Sequence, residues 1–119
     1  MNKVENSTKV ICVKVKNIRP QYQNLKEWIE DPNNVYIGRG GIVFIDKIRY
    51  PKQNSIWANP FKINKNETRE DVIIKYKKYI LNKISSDPKT YDLEKLRGKT
   101  LGCWCKPEKC HGDILIELL

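Results

Sequence analysis

The sequence of 119 residues has no long hydrophobic run. No apolar stretch reaches the ~20 residues that a membrane-spanning helix needs, and residues 1–9 lack the apolar segment of a secretory signal peptide. We therefore expect no membrane partner and a cytoplasmic location, in a cell or an infected host. The length fits one domain, which we place at residues 9–119, after a flexible tail at residues 1–8.

Arginine is scarce in a chain that is otherwise basic. Lys and Arg together number 23 against 14 Asp and Glu, which gives a formal net charge of +9. Such a surplus favours anionic partners such as phosphates, nucleotides and nucleic acid, although abundant lysine also arises from compositional bias. A guanidinium donates hydrogen bonds to phosphate in pairs, so the arginines carry more information than the lysines. They are Arg19, Arg39, Arg49, Arg69 and Arg97.

Short runs of alternating apolar residues predict the strands. We expect strands at residues 9–18, 35–37 and 100–105, with residues 42–48 as a hairpin partner of the second strand. Residues 24–30 are predicted to form a helical turn.

The main helices are predicted in the second half of the chain. Thr68 is a good N-cap, with Asp71 in the capping-box position, and apolar residues then recur every four positions. A short helix at residues 91–96 and a last helix at residues 111–119 follow. The order β-β-(β)-α-α-β-α predicts an α/β fold, a small single domain in which helices pack on a sheet of three to four strands.

Three of the four cysteines lie within eight residues of one another. Cys103, Cys105 and Cys110 are followed by His111, the only histidine in the chain. This spacing is a poor disulfide framework. The four side chains form a complete tetrahedral set for zinc, although Cys-x-Cys and adjacent Cys-His are unusual spacings for a zinc knuckle. Cysteines that only fill the core are an equally simple interpretation.

The same segment also fits a ligand-binding or catalytic pocket. A strand end followed by a helix N-terminus presents free N–H groups and the positive end of the helix dipole, which suit a phosphate. That field favours Cys110 as a nucleophile and His111 as a general acid or base. Asp113 is a candidate to orient the imidazole or to bind a ribose hydroxyl. Trp104 and Gly112 complete this part of the predicted site.

Two earlier segments contribute further candidates. Gly38, Arg39 and Gly40 follow a predicted strand, where glycines let a ligand approach the backbone and Arg39 can pair with phosphate. Such a turn most often only reverses the chain, and the G-x-G-x-x-G dinucleotide fingerprint is absent. In the next loop, Trp57 is a candidate to stack on a base and Asn59 to contact its edge, unless Trp57 belongs to the core.

Four blocks of the sequence resemble those of one protein family. They are Tyr36-Ile37-Gly38-Arg39, Ser55-x-Trp57-x-Asn59-Pro60-Phe61, Thr68-Arg69-Glu70, and a run from Gly98 to Asp113 that contains Cys-Trp-Cys-Lys-Pro-x-x-Cys-His-Gly-Asp. The family comprises short proteins of unknown function from bacteria, phages and large DNA viruses. The resemblance implies that the four blocks act together in one pocket and, by analogy with the viral context, that this pocket has a nucleotide-directed role. An inserted stretch at residues 41–53 departs from the family.

Two functional hypotheses follow. In the first, the domain binds, and can process, a phosphorylated small molecule such as a nucleotide or an ADP-ribose-like compound, with Arg39 and Arg69 on the phosphate. In the second, zinc stabilises a nucleic-acid-binding module whose affinity falls steeply as salt rises. The lysines expected to contact phosphates in that case are Lys75, Lys77, Lys78 and Lys83 of the long helix.

Overall fold

A parallel sheet organises the domain, in a computed structural model that describes residues 8–106 and 108–119. The strands are β1 (Lys9–Cys12), β2 (Asn34–Tyr36), β3 (Val43–Ile45), β4 (Ile48–Tyr50) and β5 (Thr100–Cys103). Three of them form the sheet in the order β1-β5-β2, so the last strand along the chain is the central one. Leu101 of β5 lies between Val10 of β1 and Val35 of β2.

Helices cover the sheet and connect its strands. They are α1 (Val15–Ile18), α2 (Leu25–Glu30), α3 (Arg69–Ser86), a 3-10 helix (Leu93–Leu96) and α4 (His111–Leu118). The capping box predicted at Thr68 and Asp71 is present: each side chain accepts a hydrogen bond from the other residue's backbone N–H. No helix of the described residues is long and apolar enough to cross a membrane.

The core lies on both faces of the sheet, because successive strand residues point to opposite faces. One cluster, the α3–α4 core, includes Leu101, Tyr76 and Leu115. The other, the α2 core, includes Val13, Trp28 and Tyr36, among other buried residues. The structure confirms the small α/β domain predicted from the sequence, with helices packed on a sheet. The parallel pairing and the cover on both faces were not part of that prediction.

Two of the strand predictions, at residues 9–18 and 42–48, differ from the observed strands in length or pairing. The strand predicted at residues 9–18 ends at Cys12, and Val15–Ile18 is a short helix that buries Ile18 beside α2. The segment predicted as a partner of β2 instead forms its own antiparallel hairpin, β3–β4. Asp46 and Lys47 both have positive φ, at 53° and 67°, so they form a tight two-residue turn between these two strands.

The remaining sequence expectations hold with small shifts. The central strand ends at Cys103 and not at residue 105, and the short helix near residue 93 is a 3-10 helix. Gly98, with φ +76°, follows that helix as expected for a residue that ends it. Of the tail predicted at residues 1–8, only Thr8 is among the described residues.

Candidate functional site

A pocket opens where the carboxyl ends of β2 and β5 meet the N-terminal ends of α3 and α4. Its volume is about 460 Å³. Ligand sites in open α/β sheets typically lie at this edge. The pocket is lined by Gly38, Arg39, Ile42, Asn59, Phe61, Ile63, Arg69, Val72, Ile73, Cys103, Trp104, Cys105, Lys109, Cys110 and His111.

The pocket brings together residues from all four sequence blocks. Nine of the predicted site residues line it: Gly38, Arg39, Asn59, Arg69, Cys103, Trp104, Cys105, Cys110 and His111. Four others do not: Gly40, Trp57, Gly112 and Asp113. The sequence therefore identified most of the polar lining residues, but not Lys109 and not the apolar half of the pocket.

A hydrogen-bonded chain holds the turn after β2 in place. The indole N–H of Trp104 donates to the Tyr36 hydroxyl over 2.8 Å, and that hydroxyl donates to the backbone oxygen of Arg39 over 2.6 Å. The turn lies so close to the Tyr36 ring that a Cβ atom on Gly38 would be 2.5 Å from the hydroxyl oxygen. Glycine is therefore required at position 38 for this approach.

Arg39 connects the turn to the loop that follows the hairpin. Its Nε and one terminal nitrogen donate to the backbone oxygen of Asn59 over 3.1 and 2.8 Å, and the same terminal nitrogen reaches the Phe61 oxygen at 3.3 Å. The Asn59 side-chain oxygen accepts from the Phe61 N–H, which shapes the loop. The other terminal nitrogen, Nη1, makes no hydrogen bond within the described residues, so it is available to a ligand.

Arg69 occupies the first turn of α3, where the helix dipole disfavours a cation. Its guanidinium is exposed at the pocket rim and reaches the backbone oxygen of Lys109 at 3.5 Å. It also lies beside the Cys105 thiol. Arg39 and Arg69 therefore line the same cavity.

Three thiols, those of Cys103, Cys105 and Cys110, form part of the pocket wall. The sulfur atoms of Cys103 and Cys110 are 3.3 Å apart, and the Cys105 thiol also interacts with Cys103. The hydrogen bond from Cys103 and the backbone N–H of Gly112 lower the pKa of the Cys110 thiol, in spite of its burial. Cys110 is thus the thiol of the cluster whose anion is best supported.

The zinc centre that was considered as an alternative, with Cys103, Cys105, Cys110 and His111 as ligands, has no support in the structure. Among the described residues, no group of three or more His, Cys, Asp and Glu side chains is placed to hold a metal ion. The imidazole Nε2 of His111 is instead 2.7 Å from the Ile37 backbone oxygen. Since that carbonyl can only accept, Nε2 carries the proton, which fixes the tautomer of the neutral ring.

His111 is a buried, neutral histidine at the inner end of the pocket. It is 6% exposed, and its ring packs edge-on against Tyr76 at 4.9 Å between centroids. Burial lowers its pKa, and the nearby Arg39 charge acts in the same direction. With Nε2 donating, the lone pair of the neutral ring is on Nδ1, and this nitrogen is the ring's one acceptor.

Asp113 has a structural position rather than a place in the pocket wall. One carboxylate oxygen is 2.6 Å from the Lys106 ammonium, and the other accepts from the Cys110 N–H over 3.0 Å. Both oxygens thereby secure the start of α4. The structure gives no contact by which Asp113 would orient the His111 ring, the role proposed for it from the sequence.

The other three predicted residues outside the pocket serve packing or chain geometry. Trp57 is 4% exposed, and its ring contacts that of Tyr91 edge-on. Its backbone oxygen accepts a hydrogen bond from the Tyr76 hydroxyl, so Trp57 belongs to the core. Gly112 lies against the sheet, where a Cβ would be 2.8 Å from Ile37. The N–H of Gly40 donates to the Asn54 side chain, within the loop.

The apolar half of the pocket was not predicted. It is formed by Ile42, Phe61, Ile63, Val72 and Ile73. Val72 and Ile73 belong to the apolar stripe of α3. They lie near the N-terminal end of this helix, where the stripe reaches the cavity. The one sequence signal for this half was Phe61, which lies in the Trp-Asn-Pro-Phe block.

The fold and the site define a small α/β domain with a pocket at the carboxyl edge of a parallel sheet. Arginine, cysteine, histidine and apolar side chains line this pocket. A family model described as a domain of unknown function, DUF4326, matches residues 21–119. The chain belongs to this family, in agreement with the resemblance seen in the sequence.

Two relatives of the chain come from viruses. It is 39% identical over 97 residues to the uncharacterised protein R718 of Acanthamoeba polyphaga mimivirus. This match covers 71% of the chain and 65% of the relative. It is 45% identical over 53 residues to an uncharacterised 12.4 kDa protein in the nrdA-td intergenic region of Enterobacteria phage T4. This match covers 44% of the chain and 49% of the relative. The matches thus span less than two thirds of either relative. No solved structure matches the chain.

Proposed function

We propose that this domain binds a phosphorylated small molecule, a nucleotide or an ADP-ribose-like compound, in the pocket described above. The observation that carries the proposal is the convergence of Arg39 and Arg69 on one cavity without an acidic partner. Among the ion pairs of residues 8–106 and 108–119, none involves either arginine. A ligand with phosphate groups supplies the missing negative charge.

The geometry of Arg39 suits a phosphate contact. Two carbonyl oxygens hold one edge of the guanidinium, so the group is oriented before a ligand arrives. Preorganisation of this kind lowers the entropy cost of binding. The free Nη1 edge and the rim guanidinium of Arg69 can then donate to different oxygens of one phosphate or to two phosphates in a chain.

The rest of the pocket suits the uncharged part of such a ligand. Ile42, Phe61, Ile63 and Val72 provide an apolar wall, and Trp104 contributes an aromatic surface. A cavity of about 460 Å³ is within the size range of small-molecule sites, roughly 300–1,000 Å³. A base or a sugar face packs on such walls, while the Asn59 amide nitrogen is a candidate donor to its edge.

The nucleic-acid alternative has less support from the charges. Lys75 is paired with Glu67, and Lys77 is paired with Glu117 of α4. Two of the four lysines on the proposed phosphate-binding face of α3 are therefore neutralised locally. The zinc site that was to stabilise the module also has no support among the described residues.

Replacing Arg69 by glutamine tests the proposal. We expect Arg69→Gln to weaken the binding of ADP-ribose or AMP about tenfold or more, since a hydrogen bond to a charged group contributes roughly 1.5–3 kcal/mol. Calorimetric titration at fixed salt measures the affinity. Arg69 is preferred to Arg39 for this test because loss of the Arg39 side chain also releases the loop at Asn59.

Arg97→Gln is the matched control, since it removes the same charge from a surface arginine paired with Glu94, away from the pocket. It should bind like the unaltered protein. Equal affinities of all three proteins, or no binding of either compound by the unaltered protein, would contradict the proposal. Tight binding of a short oligonucleotide that weakens steeply with salt and ignores Arg69→Gln would support the nucleic-acid alternative instead.

A further inference from the structure

The two closest thiols of the pocket wall come from different elements. Cys103 is the last residue of β5, and Cys110 is the N-cap of α4. Their sulfur atoms are 3.3 Å apart, and both side chains are almost fully buried, with 1% and 2% exposed. A disulfide bond needs about 2.05 Å between the sulfur atoms. A movement of little more than 1 Å would therefore join them.

We propose that Cys103 and Cys110 form a reversible disulfide and constitute a redox modification site in the wall of the pocket. In a reducing cytoplasm the dithiol is the resting form. The cavity gives a small oxidant a route to both sulfur atoms, since both residues line it. The oxidant assigned to the site is a hydroperoxide, and hydrogen peroxide is the simplest example.

The chemistry needs two steps. One sulfur, as the thiolate, attacks a peroxide oxygen; the O–O bond breaks, and a sulfenic acid and water result after proton transfer. The second sulfur then attacks the sulfenic sulfur, the S–S bond forms, and the sulfenic oxygen leaves as water. In total, two thiols and one hydrogen peroxide give one disulfide and two waters, with two electrons passed from sulfur to oxygen.

The short distance between the sulfurs decides which product forms. A sulfenic acid on either residue has its resolving thiol already in van der Waals contact, so disulfide formation outruns further oxidation to sulfinic acid. Cys12, by contrast, donates to the Trp104 backbone oxygen over 3.9 Å and is outside the pocket lining. The site is independent of the ligand proposed above, and its test uses no ligand.

Peptide mapping after oxidation tests the site. The folded protein is treated with hydrogen peroxide, blocked with iodoacetamide and digested with trypsin. The sequence provides cleavage after Lys99 and Lys109, so the two cysteines fall on separate peptides, 100–109 and 110–119. We expect these peptides to be joined and to separate after treatment with dithiothreitol. The mass of the joined pair is the sum of the two peptides, minus two hydrogens, plus one carbamidomethyl group on the free Cys105.

Cys105 shares a peptide with Cys103, and its variant resolves the assignment. Cys105→Ser and Cys12→Ser should both retain the cross-link, whereas Cys103→Ser should abolish it. Joined peptides in Cys103→Ser that vanish in Cys105→Ser would overturn the assignment in favour of a Cys105–Cys110 bond. Fully alkylated cysteines, or sulfinic acid on Cys110 without a cross-link, would overturn the proposal. Circular dichroism of each variant confirms that the fold is retained.

Discussion

Gly102→Ala is expected to destabilise the domain by about 3 kcal/mol, the upper end of the usual range for an overpacked core. Gly102 is in the middle of β5, the central strand. A Cβ atom there would be 2.4 Å from the Trp28 ring and 2.6 Å from a methyl group of Val13. Both neighbours are fully buried, at 1% and 0% exposure, so neither can move away cheaply. A loss of this size is a large part of the 5–15 kcal/mol typical of a whole domain.

Denaturant unfolding measures this loss as a fall in the transition midpoint at unchanged slope. Gly41→Ala is the comparison, since the added Cβ meets only the Arg49 side chain, at 3.9 Å. Its cost is the strain of an alanine at φ +68°, about 1 kcal/mol. If the two variants are equally stable, Trp28 does not pack on the strand as described.

The domain should lose stability as the pH falls from 7 to 5, and His111 should cause most of that loss. Burial holds the pKa of His111 below its ordinary value in the folded state. In the unfolded chain the imidazole takes up a proton near pH 6.5. Between the two values the unfolded state binds more protons, so the free energy of unfolding decreases as the pH falls. Above pH 6.5 both states are neutral at this position, and the full stability is present.

His111→Gln isolates this effect, because a glutamine amide can still donate to the Ile37 oxygen but does not titrate. His111 is the only histidine in the chain. The pKa values of some carboxyl groups, such as those of Asp31 and Glu67, are lowered in the folded state. These groups reduce the free energy of unfolding only as the pH approaches their ordinary pKa values near 4. Urea unfolding at pH 7, 6 and 5 should thus give a nearly constant stability for the variant and a falling one for the unaltered protein. Equal slopes in both would show that His111 is not buried and neutral.

The sequence was most informative where a local rule determines the structure. Thr68 and Asp71 predicted the start of α3 because a capping box needs only neighbouring residues. It was least informative where long-range packing decides. The segment after Cys12 alternates like a strand, but Ile18 is buried beside α2, and this favours a helical turn. The β3–β4 turn contains Asp46 and Lys47, a pair without the glycine that normally marks such a turn.

The same distinction explains the candidate site. Gly38, Arg39, Asn59 and the cysteines were recognisable because they belong to the blocks that resemble the family, and because their residue types suit contacts with a ligand. The direction of each side chain could not be derived, however. Trp57 and Asn59 are two residues apart in one loop, yet the first enters the core and the second lines the pocket. The apolar wall was also invisible, since a valine that lines a cavity has the same sequence signature as one that fills a core.

Nuclear magnetic resonance of the isotope-labelled protein titrated with ADP-ribose tests the central claim most directly. The claim predicts that the largest changes in amide chemical shift occur at the pocket, at Gly38, Arg39, Phe61, Cys105 and Cys110, and that they saturate with one ligand. Residues of the hairpin end, such as Lys47, should change little. Absence of any saturable change, or changes confined to the lysine face of α3 around Lys78, would contradict the claim that this pocket is a binding site for phosphorylated small molecules.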